Sequence, residues 1–157
     1  MVSANTRPQY LGTWLPSTIT RQPPGMTYED WQAWYPWLQG PGARWESYTY
    51  DVTLMTKGIE DLALDPRLLE MWARNTAKRI DAVGAGPAGL DIFEARRLAG
   101  WSAIGQLLGY RDLWLINFPT LPLGDLWLIS ERIDDATRML AQRQGIRTWC
   151  CGETLEP

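Results

Sequence analysis

Tryptophan is the residue that most constrains how this chain can fold. The 157 residues include ten tryptophans, spread over positions 14, 31, 34, 37, 45, 72, 101, 114, 127 and 149. A domain of this length buries roughly two-thirds of its unfolded surface, and each buried indole needs an acceptor for its N–H group. We therefore expect several of these rings to lie at the surface, where tryptophan is enriched at the centres of protein interfaces.

The residues that follow Thr27 form a dense aromatic segment. Thr27 is a suitable N-cap for a short helix, in which Trp31, Trp34 and Tyr35 share one face at spacings of three and four residues. A helix that ends near Pro36 is too short to be stable alone, so these rings must pack on something. Two interpretations stay open: the rings cap their own domain, or they dock onto another chain or a sugar. The predicted partner-binding residues are Tyr28, Trp31, Trp34, Tyr35, Trp37 and Trp14.

Local patterns predict the domain organisation and the fold class. Residues 1–26 contain four prolines and no helical period, which predicts an extended arm with few contacts to its own domain. Residues 27–157 are predicted to form a single α+β domain with three main helices and a small sheet. The predicted helices cover 65–83, 91–108 and a segment from Ser130 to Gly145, and the predicted strands cover 44–56, 112–116, 125–129 and 147–151. The last two strands are expected to pair in a β-α-β unit.

The segment from Gly84 to Gly89 reads GAGPAG. It resembles the dinucleotide-binding turn of FAD-dependent oxidoreductases, and this resemblance implies a bound flavin or nucleotide. A predicted helix, and not the strand that this family has, precedes the glycines. A linker between two helices is therefore the preferred interpretation.

The segment from Glu94 to Leu108 resembles the helix-turn-helix of bacterial repressors, and this resemblance implies DNA binding. Its recognition helix would begin with Ala103, Ile104 and Gly105, which offer no base contacts. The net charge of −3 also disfavours extensive phosphate contact. We therefore expect no sequence-specific reading of nucleic acid.

The composition offers few groups for self-contained chemistry. Histidine is absent from the sequence, which removes the commonest general base and metal ligand. The only cysteines, Cys150 and Cys151, are adjacent. The acidic pairs Glu29-Asp30, Glu60-Asp61 and Asp134-Asp135 are sequence neighbours, which do not face each other on a helix. The sequence thus predicts no enzyme activity, no metal and no cofactor.

These observations predict a non-catalytic assembly subunit that binds other protein subunits through its arm and its tryptophans, as in a virus or phage particle. The alternatives are a tryptophan-based carbohydrate-binding module and a small nucleotide- or flavin-binding protein that uses Gly84–Gly89. We expect a cytoplasmic or virion location without a signal peptide, and no membrane span, because no apolar run reaches about 18 residues.

Overall fold

The fold was obtained as a computed structural model that describes residues 7–55 and 78–155. The strands are β1 (Trp14–Pro16), β2 (Ser47–Leu54), β3 (Lys78–Ala85), β4 (Leu90–Ala99), β5 (Leu123–Ile133) and β6 (Ile146–Cys150). The helices are α1 (Tyr28–Gln39), α2 (Trp101–Asn117) and α3 (Asp135–Arg143). None of the described helices is long and apolar enough to cross a membrane.

All six strands form one curled mixed sheet in sequence order. Strands β1 to β4 pair antiparallel, whereas β5 runs parallel to β4 and β6 runs parallel to β5. Parallel neighbours need a long crossover, and α2 and α3 provide the two crossovers. The predicted β-α-β unit at the C-terminal end is confirmed by the pairing of β5 with β6.

The predicted fold class is wrong in the size of the sheet. Three helices are present, but the six-stranded sheet holds about as many residues as the helices do, so it is not small. Residues 78–83, predicted as the end of a helix, belong to β3, and the remainder of that predicted helix lies outside the described residues. The predicted helix 91–108 is strand β4 followed by the start of α2, and the predicted strand 112–116 lies inside α2. Short apolar runs do not distinguish a buried strand from a buried helix.

The predicted N-cap of the first helix is confirmed, because the Thr27 hydroxyl accepts the amide of Asp30 at 3.1 Å. The helix runs through Pro36 to Gln39 instead of ending before the proline. It is therefore three turns long and lies across the sheet.

The described part of the predicted arm contacts its own domain more than expected. Strand β1 pairs with β2, and the Trp14 indole donates to the carbonyl of Pro8 at 3.0 Å. Leu11 and Met26 are buried in the two cores. Residues 7–26 thus form an edge of the sheet and its flanks.

The two faces of the sheet carry separate cores. Helices α2 and α3 cover one face with aliphatic residues, and α1 covers the other with an aromatic cluster centred on Trp34, Trp37, Trp45, Phe93 and Trp127. Trp34 lies edge-on to Phe93 with ring centroids 5.5 Å apart. The aromatic core therefore clamps α1 onto the centre of the sheet.

Tyrosine hydroxyl groups accept hydrogen bonds from the indoles that are buried in this core. Trp34 donates to the Tyr50 hydroxyl and Trp37 donates to the Tyr48 hydroxyl, both at 3.1 Å. Of the nine tryptophans in the described residues, seven are buried. The expectation that several rings lie at the surface is wrong for these seven, because side-chain and backbone oxygens bond most of their N–H groups inside the protein.

Replacing Trp34 with alanine should unfold the protein more easily. The fully buried indole leaves a large cavity and an unpaired Tyr50 hydroxyl, so we expect Trp34→Ala to lower the free energy of unfolding by about 3–5 kcal/mol. Chemical denaturation followed by circular dichroism measures this loss. Tyr28→Ala, on the same helix but 65% exposed, is the matched control and should change little. Equal stability of Trp34→Ala and the wild type would contradict the core role of Trp34.

Candidate functional site

The predicted partner-binding residues divide into buried and accessible groups. Trp34 and Trp37 are fully buried in the aromatic core, so they present no surface to a partner. Trp31 is 9% exposed, and Trp14 and Tyr35 are half-buried. Tyr28 is largely exposed. For Trp34 and Trp37 the prediction is corrected because α1 is long enough to press both rings onto the sheet.

The glycine segment is not a linker between helices. Gly84 and Ala85 end β3, and residues 86–89 form the turn to β4, which is closed by a hydrogen bond of 2.8 Å from the Gly86 amide to the Gly89 carbonyl. The buried carboxylate of Asp91 packs against Gly86, where an added Cβ would come within 2.2 Å of an Asp91 oxygen. Asp91 also accepts the Trp45 indole and the Asp125 amide. An anionic side chain thus fills the space beside the glycines that a phosphate would need.

A second buried polar group lies at the other end of β3 and β4. Asp81 comes from β3, Glu94 and Arg96 from β4, and Asp30 from the first turn of α1. Gln106 of α2 completes this group, which we call the acidic cluster and define as Asp30, Asp81, Glu94, Arg96 and Gln106. The fold therefore brings together side chains from four elements that are far apart in sequence.

The cluster forms where β3 and β4 separate. Their pairing ends at Ala82 and Phe93, although both strands continue beyond that pair. The Ala95 amide then donates to the Asp81 carboxylate at 2.9 Å instead of to a β3 carbonyl. The Tyr110 hydroxyl of α2 donates to the freed Arg79 carbonyl at 2.8 Å. Side chains thus replace the strand ladder and hold the two strands apart.

Oxygen atoms surround the guanidinium of Arg96. It contacts the carboxylates of Asp30 at 3.6 Å and Asp81 at 3.4 Å. It also donates to the Ala95 carbonyl at 2.8 Å, and it contacts the side-chain oxygens of Glu94 and Gln106. Five oxygen atoms from five residues therefore converge on one positive charge.

Burial makes the carboxylates of this cluster costly to ionise. Burial raises the pKa of Asp81 to about 6, although the Ala95 amide and the Arg96 charge act in the opposite direction. The pKa of Glu94 is also raised well above its ordinary value, first by burial and then by the charge of Asp81. Glu94 is 1% exposed, and its Oε2 atom is buried without a hydrogen-bond partner in the described part of the chain. A single guanidinium does not satisfy both buried carboxylates.

Two clefts open beside the cluster. One, of about 410 Å³, is lined by Glu29, Asp30, Arg96, Arg97, Leu98 and Arg132. The other, of about 500 Å³, is lined on its polar side by Lys78, Ser102, Gln106 and Tyr110. The first cleft thus reaches Asp30 and Arg96 of the cluster and the second reaches Gln106, whereas Asp81 and Glu94 line neither cleft.

Among residues 7–55 and 78–155, no group of three or more histidine, cysteine, aspartate or glutamate side chains has a geometry that could hold a metal ion. In the acidic cluster, the Arg96 guanidinium lies between the carboxylates.

Sequence patterns did not identify this cluster. The predicted helices 65–83 and 91–108 contain Asp81 and Glu94, whereas the structure places these two residues on the adjacent strands β3 and β4. A usable signal was the alternation of charge with apolar residues in Ile92-Phe93-Glu94-Ala95-Arg96, because charged residues inside an apolar strand are rarely buried without a partner.

No protein-family model, curated protein or solved structure matches the chain. The fold and the acidic cluster are therefore interpreted from their own geometry.

Replacing Asp81 with asparagine should stabilise the protein at neutral pH. Because the pKa of Asp81 is raised on folding, the contribution of Asp81 to the free energy of unfolding falls as pH rises from about 4 to about 6, and an amide does not ionise. We expect Asp81→Asn to gain about 1–3 kcal/mol above pH 6 and to lose part of this pH dependence. Thermal unfolding at a series of pH values measures both effects.

Asp112→Asn, which removes a carboxylate that is 77% exposed, is the control and should leave the pH dependence unchanged. A loss of stability in Asp81→Asn at neutral pH would instead make the cluster a structural ion network.

Proposed function

We propose that this chain is a non-catalytic assembly subunit that binds other protein subunits, as the sequence predicts. The observation that carries this proposal is the exposure of three large apolar side chains of α2: Trp101 is 68% exposed, Leu115 60% and Ile116 49%. Exposed apolar groups of this kind are common in protein interfaces. Native mass spectrometry of the wild type and of Trp101→Ser tests this role, and a monomer in both cases would contradict self-assembly.

A further inference from the structure

The outward face of α2 has two glycines near its centre. Gly105 and Gly109 are exposed and lie about one helical turn apart. Neither has the positive backbone φ that favours glycine, and a Cβ added at either position would meet nothing beyond its own helix within 4 Å among the described residues. Glycine inside an exposed helix is unfavourable relative to alanine. The fold of a single chain therefore does not require either glycine.

The two ends of the same face are apolar. Trp101 begins α2 and is 68% exposed, whereas Leu115 and Ile116 lie in its last turn and are 60% and 49% exposed. The distance between packed helices depends on the side chains at their contact, so glycines at the centre of a helix allow a second helix to approach closely. The face thus has the form of a surface on which another helix packs.

We propose that this face of α2 packs antiparallel against the same face of a second copy of this chain, around a two-fold axis beside Gly109. This inference rests on the proposed function and specifies the partner. A two-fold interface uses the same patch on both copies, so the patch must be complementary to itself. Antiparallel packing also places opposite ends of the two helix dipoles side by side.

The order of residues along α2 has this self-complementarity. Trp101, Gly105, Asp112 and Ile116 share one face of the helix by their spacing. The pair of Trp101 and Ile116 and the pair of Gly105 and Asp112 have the same midpoint, between residues 108 and 109. In two antiparallel copies that cross there, each Trp101 meets Ile116 of the second copy and each Asp112 meets Gly105 of the second copy. Large side chains then face small or apolar ones, which favours a second copy over an unrelated helix.

Charge complementarity supports the same arrangement. Lys78 of β3 is exposed and lines the same cleft as Gly105 and Gly109. The Asp112 side chain is 77% exposed, and its only ion-pair contact in the described part of the chain is with Arg111, at 3.8 Å. Because each Asp112 faces Gly105 of the second copy, it also comes beside Lys78 of the second copy. The two-fold axis forms this ion pair twice.

The first test measures the dimer by sedimentation velocity over a range of protein concentrations. Gly105→Leu and Gly109→Leu fill the space at the crossing, so we expect each to weaken dimerisation by about tenfold or more. Because leucine favours helix more than glycine does, the same variants should raise the melting temperature of the monomer. This opposite sign separates loss of the interface from loss of folding. Met139→Ser removes an apolar side chain of α3 that is 60% exposed, so it is the matched control and should dimerise like the wild type.

The second test exchanges the two charges. Asp112→Lys alone and Lys78→Asp alone should each weaken the dimer, because like charges then face each other across the axis. The chain that carries both substitutions should dimerise as the wild type does. Failure of the double substitution to restore the dimer would overturn the antiparallel register.

The outcomes distinguish this inference from the proposed function. Oligomers that persist unchanged in both glycine variants would overturn the packing of α2 on α2 and leave the assembly role intact. A wild type that stays monomeric at every concentration would overturn this inference and self-assembly together.

Discussion

The structure depends on a backbone amide that bonds to a side chain. Where β3 and β4 stop pairing, the Ala95 amide donates to the Asp81 carboxylate and the Arg79 carbonyl accepts the Tyr110 hydroxyl. A sheet normally satisfies such groups across the ladder, and a buried backbone group left unpaired is costly. The replacement bonds keep the strands apart and hold Asp81 and Glu94 side by side in a poorly hydrated place. The gap in the ladder and the acidic cluster are therefore one feature.

Packing in the two cores offsets the energetic cost of this gap in the strand ladder. On one face, Trp34 and Trp37 press α1 onto β2 and β4 and so fix Asp30 above the cluster. On the other face, Leu107 and Trp114 anchor α2, whose Gln106 and Tyr110 lie four residues apart on one side of the helix. Large buried side chains hold both helices on the sheet. The same helices can therefore also carry polar side chains of the acidic cluster, although burying that charge lowers the stability of the fold.

Sequence patterns predicted part of this arrangement. The Thr27 cap, the strand near 44–56 and the final β-α-β unit follow from local signals, and they are present. The predictions are wrong at Asp91–Ala99 and at Asp112–Ile116. Apolar runs of this length pack equally well as strand or helix, and only the neighbouring strands determine which of the two forms. The cluster is not predictable when β4 is interpreted as a helix. The pairing of strands brings its members together, and the spacing of residues along the chain does not indicate that pairing.

The aromatic core also determines how the protein responds to light. Trp37 lies within 5.3–6.4 Å of the rings of Trp34, Trp45, Trp127 and Trp149. Indoles at such separations couple their electronic transitions, so the near-ultraviolet circular dichroism reports the packing of the whole cluster and not of single residues. Trp101, by contrast, is 68% exposed at the start of α2. Its emission is open to aqueous quenchers while that of the core is shielded, which provides a native optical probe at the start of α2.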